Sequence, residues 1–168
     1  RVLQDLLNEG HTYVVDADIK SFFDNIPHDK LMREVEKKVT DNGILSLIRS
    51  FLEAEIMEVT NSWSPEGGTP QGAVVSPLLA NIYLNPLDHL MEDKGYKMIR
   101  YADDFVVLCR TKEEARKALR VINDWVKGAG LTLHPEKTKL VDATERGGFD
   151  FLGYHFERGY RWPRKKSE

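Results

Sequence analysis

The sequence predicts an α+β fold, an antiparallel sheet packed on helices, from three observations. The stretch Arg100-Tyr101-Ala102-Asp103-Asp104-Phe105-Val106-Val107-Leu108 is an apolar run, led in by Met98 and Ile99, that stops at two adjacent acids and resumes through Cys109. Its β-branched and aromatic flanks fit a pleated, half-buried surface, so it reads as a hairpin with Asp103 and Asp104 at the tip. Thr12 to Asp18 is a second strand, whose period of two puts Asp16 and Asp18 on one face and Val15 and Ala17 on the other. Between and around these strands, apolar residues recur at helical spacing.

The elements follow in order. Val2, Leu3, Leu6 and Leu7 share one helical face, and Gly10 is a stop signal. Past the first strand come Phe22 and Phe23, one of which is expected in the core. His28 to Val39 and Ile44 to Ile56 are amphipathic helices. His28 follows Pro27 and reads as a cap or packing residue, because no second imidazole stands at ligand spacing. Met57 to Trp63 is a strand or hairpin candidate. The loop Gly67-Gly68-Thr69-Pro70-Gln71-Gly72 lets backbone approach a ligand. It leads to Ser76-Pro77, an N-cap with proline at the first helical position. Leu78, Leu79, Ile82, Tyr83, Leu87, Leu90 and Met91 then carry a long helix to Gly95, with a kink expected at Pro86. A glycine loop feeding a helix N-terminus suits a phosphorylated ligand, although such a loop alone is more often a turn. Thr111 to Glu114 is a capping box, and Ala115, Ala118, Leu119, Ile122, Trp125 and Val126 line the helix it starts, which ends at Gly128 or Gly130. Leu131 to Leu133, Thr138 to Val141 and Phe149 to Phe156 read as short strands. The tail carries Arg158, Arg161, Arg164, Lys165 and Lys166, a run that reads as solvated, with phosphate contact the minority alternative.

Composition sets bounds on function. A chain of 168 residues has room for one domain with a real core. Charged residues at 30% and hydrophobic ones at 41% describe a globular chain, and a net charge of −3 announces no nucleic-acid partner by itself. The single Cys109, inside an apolar strand, excludes a disulfide framework and fits a reducing, cytoplasmic compartment. No stretch is apolar enough to cross a membrane. The chain opens on Arg1 in helix-like sequence, so a piece of something longer is expected.

The acids carry the chemistry. Two carboxylates about 4 Å apart repel by roughly 1 kcal/mol in water and by several times that near a protein surface. An isolated Asp-Asp is usually a polar turn. Here the apolar flanks and the upstream Asp16 and Asp18 favour a cation site, since an acid at the end of a buried strand is held rigidly.

These residues also carry a resemblance. Val14-Val15-Asp16-Ala17-Asp18-Ile19-Lys20-Ser21-Phe22-Phe23-Asp24 resembles the first catalytic motif of reverse transcriptases. Gly68-Thr69-Pro70-Gln71-Gly72, running on to Ser76-Pro77-Leu78-Leu79-Ala80-Asn81-Ile82-Tyr83-Leu84, resembles the second, and Tyr101-Ala102-Asp103-Asp104 the third. Gly130-Leu131 with Pro135-Glu136-Lys137-Thr138 is similar to the next, and Phe151-Leu152-Gly153-Tyr154 to the primer grip. Taken together, these motifs most resemble the bacterial group II intron reverse transcriptase/maturase. Tyr-Ala-Asp-Asp alone is permissive, but these motifs in this order, from Thr12 to about Tyr154, are specific.

The resemblance implies a polymerase palm, a ferredoxin/RRM-like antiparallel sheet packed on helices, with the long kinked helix after the Pro-Gln-Gly loop. It implies that residues 1–168 are a palm fragment, with most of the fingers and the thumb, maturase and endonuclease regions outside it. The implied activity is RNA-directed DNA synthesis, with an RNA template, a DNA primer and dNTPs as substrates, intron RNA as a partner of the full-length protein, and a fragment that extends primers poorly. Asp18, Asp103 and Asp104 would be catalytic. With Ile19 they would hold two Mg²⁺ ions about 3.5–4 Å apart, Mn²⁺ substituting. Asp18 and Asp103 would bridge both ions, and Asp16 would be a bystander. Phe23 would be the gate that excludes a 2′-hydroxyl. Gln71 and Gly72 would lie beside the incoming nucleotide, and Lys137 would protonate pyrophosphate or else be a solvated lysine. Phe151, Leu152, Gly153 and Tyr154 would lie against the primer, with Leu152 in the core. A retron or diversity-generating reverse transcriptase is the near alternative. A palm-fold nucleotidyl cyclase would leave the Pro-Gln-Gly loop and the Phe-Leu-Gly-Tyr stretch unexplained, and a non-catalytic RNA-binding scaffold would not need all three acids.

Overall fold

The computed structural model describes residues 2–60, 76–145, 148–157 and 160–163. Gln71, Gly72 and the rest of the glycine loop lie outside the described residues, as do Arg158, Arg164, Lys165 and Lys166. The order is α1 (Val2–Asn8), β1 (Tyr13–Ala17), α2 (Phe22–Asn25), α3 (His28–Glu36), α4 (Asn42–Thr60), α5 (Ser76–Asp93), β2 (Lys97–Tyr101), β3 (Asp104–Cys109), α6 (Lys112–Gly128), β4 (Lys139–Asp142), β5 (Phe149–Phe151), β6 (Tyr154–Glu157) and β7 (Tyr160–Pro163). This is an α+β architecture.

The main sheet is antiparallel with strand order β2-β3-β1-β4, and β5-β6-β7 form a second, three-stranded sheet. The alternation along β1 and β3 divides their side chains between two cores. Val15, Ala17, Phe105, Val107 and Cys109 pack under α3, α5 and α6. Val14, Val106 and Leu108 face the other way, against Leu3 and Leu7 of α1 and Phe149, Phe151 and Phe156 of the second sheet. Burial on both faces accounts for the unbroken apolar run from Phe105 to Cys109 in a central strand.

Local signals set the helix ends. Thr111 Oγ1 accepts the Glu114 N–H at 3.1 Å, and the Glu114 carboxylate accepts the Arg110 N–H at 2.8 Å, so the capping box forms with its return bond one residue upstream of the cap. α1, α5 and α6 each close with a glycine of positive φ (Gly10 at 96°, Gly95 at 78°, Gly130 at 77°). In each, the next residue's N–H bonds five residues back, as in Tyr96 N–H to Met91 O at 2.9 Å.

Two expectations are corrected. Met57 to Thr60 continue α4 rather than starting a strand, and residues 61–63 lie outside the described residues. Val59-Thr60 suggests a strand locally, but extending an existing helix adds one bond per residue ordered. Leu131 to Leu133 make a single bridge, Ile19 to Leu133, rather than a strand.

Candidate active site

A cleft of about 550 Å³ opens where the main sheet meets the turn between β5 and β6. Its walls are Asp16, Ala17 and Asp18 from the end of β1, Asp104 and Phe105 from the start of β3, Lys137 and Lys139, and Asp150 to Gly153.

Asp18 is held by its backbone on both sides. Its N–H faces Thr138 Oγ1 at 3.5 Å, and its carbonyl accepts the His134 N–H at 2.7 Å. Lys20 N–H reaches Thr132 O at 2.9 Å, so the chain from 132 to 138 is strapped along residues 18–20. That strap delivers Lys137, whose Nζ lies 3.0 Å from Asp18 Oδ2. Lys137 therefore pairs with Asp18 at the cleft wall while its side chain stays 66% exposed. Ile19 is buried, and a backbone carbonyl is the only oxygen it can offer a cation.

The acidic hairpin differs from expectation in its tip. Tyr101 pairs with Asp104, so the two-residue loop is Ala102-Asp103 and Asp104 opens β3. Ala102 sits at φ 53°, a left-handed conformation that costs an L-residue about 1–2 kcal/mol. Arg100 Nη1 holds its carbonyl at 2.8 Å and bonds Asn81 Oδ1 at the same distance, while Nε reaches Asp88 Oδ1 at 2.8 Å. Asp104 thus lines the cleft with Asp18, whereas Asp103, half-buried in the turn beside it, is not among the lining residues.

The carboxylates feel one another. Partial burial, then Asp103 and Asp18, raise the Asp104 carboxyl above its ordinary value, against the pull of Lys137. Burial pushes Asp16 up to about 6, with Lys139 opposing and Asp104, Asp18 and Asp150 adding. Asp16 thus lines the same acidic wall as Asp18 and Asp104. As they stand, no three His, Cys, Asp or Glu side chains among the described residues gather into a cage for a cation. The donor set nonetheless suits Mg²⁺, which binds through one or two carboxylates and takes its other oxygens from phosphate and water. Asp18 and Asp104 would supply those carboxylates.

The stretch Phe151-Leu152-Gly153-Tyr154 is a turn, not a strand. Phe151 pairs with Tyr154 across Leu152 at φ 49° and Gly153 at φ 77°, and two positive φ values make a type I′ hairpin. Leu152 is 47% exposed at the tip instead of buried, because a two-residue turn leaves its side chain no sheet face to enter. Phe151 is the core residue of the four. Phe22 is the core phenylalanine at 2% exposure, and Phe23 is 37% exposed, edge-on to Phe22 with ring centroids 5.1 Å apart. Phe23 and Tyr154 are not among the residues that line the cleft.

Sequence reasoning missed Lys139, Asp150 and the role of Arg100. Lys139 is the register partner of Asp16, and a spacing of two from Lys137 is the signal that could have paired them. Asp150 is held by His155 Nδ1 at 2.7 Å, a contact that exists only once the second hairpin has formed.

The family model described as reverse transcriptase (RNA-dependent DNA polymerase) matches residues 3–156. Among similar proteins, a 91 kDa protein in the cob intron of Schizosaccharomyces pombe is 44% identical over 194 aligned positions, covering 80% of this chain and 24% of its own length. Protein YkfC of Escherichia coli is 28% identical over 184, covering 87% and 47%. The group II intron-encoded protein LtrA of Lactococcus lactis subsp. cremoris is 44% identical over 79, covering 47% and 13%. The chain spans from about an eighth to about half the length of these relatives. With its match over almost the whole length and its relatives among intron-encoded proteins, the chain belongs to the reverse transcriptase (RNA-dependent DNA polymerase) family.

Proposed function

We propose that residues 1–168 form the catalytic palm of an RNA-directed DNA polymerase of the group II intron type, adding dNTPs to a primer 3′-hydroxyl on an RNA template. The observation that supports it is the cleft in which Asp18 and Asp104, from the ends of neighbouring antiparallel strands, share a field that raises the Asp104 carboxyl. Converging charge of that kind favours a cation with phosphate oxygens on its far side. Bound Mg²⁺ supplies the Lewis acidity that activates the 3′-hydroxyl and neutralises the leaving pyrophosphate.

The chain's own residues divide the remaining work. Asp18 and Asp104 would hold the cations, with Asp103 beside them. Lys137, on Asp18 at 3.0 Å, carries a proton that it passes to a pyrophosphate oxygen as the phosphoryl group transfers. The Leu152-Gly153 tip, which lines the cleft, would bear on the primer backbone. Phe23 stacks under the incoming sugar, and Gln71 and Gly72 contact the nucleotide. Intron RNA would be the partner of the complete protein, a reading that fits relatives named as intron-encoded.

The test is primer extension on an RNA template with Mg²⁺ in the full-length protein, wild type against Asp104→Asn. The substitution should reduce synthesis on the order of 10³-fold without lowering the melting temperature. Undiminished synthesis by the folded variant removes Asp104 from the chemistry.

A further inference from the structure

A second concavity, of about 560 Å³, lies between α6 and the 131–138 chain. Leu119, Leu133 and Pro135 make an apolar floor, and Arg116, Arg120, Asn123 and His134 stand around it. No acid is among the lining residues, although the chain as a whole has net charge −3. Arg116 and Arg120 are one helical turn apart, about 6 Å along the axis, and face the same side. Neither makes an ion pair or hydrogen bond among the described residues, whereas Arg49 and Arg100 are both bound to carboxylates. His134 adds a donor of known identity. Its Nδ1 accepts the Glu136 N–H at 3.3 Å, so the neutral ring carries its proton on Nε2.

We propose that this groove binds the sugar-phosphate backbone of a nucleic-acid strand, with Arg116 and Arg120 on successive phosphates, Asn123 and His134 Nε2–H as further donors, and the apolar floor against a sugar or base. A guanidinium fork matches phosphate geometry, and two unpaired forks in a groove lined by no acid concentrate anionic charge there. The alternation of apolar floor and cationic rim suits a polyanion with apolar faces better than a free anion. The groove shares a wall with the catalytic cleft. Thr138 lines the groove, and its Oγ1 faces the Asp18 N–H. A strand seated there would run beside the chain that carries Lys137. This contact is separate from the catalytic residues and stands even if Asp104 proves dispensable.

The test is fluorescence anisotropy of labelled single-stranded RNA and DNA oligonucleotides with the full-length protein across a salt series. Arg116→Gln/Arg120→Gln is compared with Lys38→Gln/Lys94→Gln, an equal loss of charge at exposed residues outside the groove. The groove variant should bind about 10-fold more weakly, and its salt slope should fall by about 1.4, the value for two lost phosphate contacts on a single strand. The two strands separate RNA from DNA as the source of the phosphates. Equal affinities and slopes for the two variants would overturn the proposal. So would an anisotropy loss reproduced in wild type by millimolar inorganic phosphate at constant ionic strength, which would make the groove a simple anion site.

Discussion

Arg100 of β2 grips both carboxylate oxygens of Asp88 on α5. The same guanidinium holds the carbonyl of Ala102, the residue in left-handed conformation at the tip of the acidic hairpin. One side chain therefore ties a helix, a strand and a strained turn together two residues from an acid of the candidate site. Arg100 is 10% exposed and Asp88 33%, so the pair is only partly screened by water.

Removing one partner leaves the other's charge partly buried. Asp88→Ala should cost about 2–4 kcal/mol in urea unfolding, and Asp88→Leu/Arg100→Met less than the sum of its single substitutions. Polymerisation in folded Arg100→Lys should fall, because an ammonium cannot hold Asp88, Asn81 and Ala102 at once. Additive single effects in the double-mutant cycle would show that the two residues act independently.

The adjacent phenylalanines should separate stability from selectivity. Phe22→Ala should cost about 3–5 kcal/mol, since it empties a core position. Phe23→Ala should cost about 1 kcal/mol and, in the full-length enzyme, let ribonucleotides compete with dNTPs. Unchanged discrimination by a folded Phe23→Ala protein would end the gate assignment.

Leu152 pays a conformational cost at φ 49° that asparagine largely avoids. Leu152→Asn should raise stability by about 0.5–1 kcal/mol, measured by thermal melting, yet shorten extension products if the tip bears on the primer. A variant both more stable and equally processive would take Leu152 out of the primer contact.

Burial raises the Cys109 thiol to about 12, with Glu114 adding, and burial raises the Tyr83 hydroxyl to about 12 as well. Both groups bind protons more tightly folded than unfolded. Their contribution is complete below the unfolded values of 9.0 and 10.0 and is lost as pH rises through the folded ones. Urea midpoints should therefore decline from about pH 9 upward, and Ellman's reagent at pH 8 should label Cys109 only after unfolding. Rapid labelling of the native protein would show that the strand opens locally.

What the sequence by itself determined is local and periodic. Alternation in β1 puts Asp16 and Asp18 on one face, the Thr111 to Glu114 box starts α6, and the order of motifs identifies the family. Each depends on residues a few positions apart, whose geometry the backbone repeat dictates. Only tertiary structure decided the rest. Lys137 meets Asp18 because the chain from 132 to 138 is bonded along residues 18–20. Asp16 joins the acidic wall because burial and Asp104, 88 residues away in sequence, both act on it. Leu152 leaves the core because Phe151 and Tyr154 pair and force a two-residue turn. Charge and burial fall off with distance in space, not along the chain, so no pattern confined to neighbouring residues contains them.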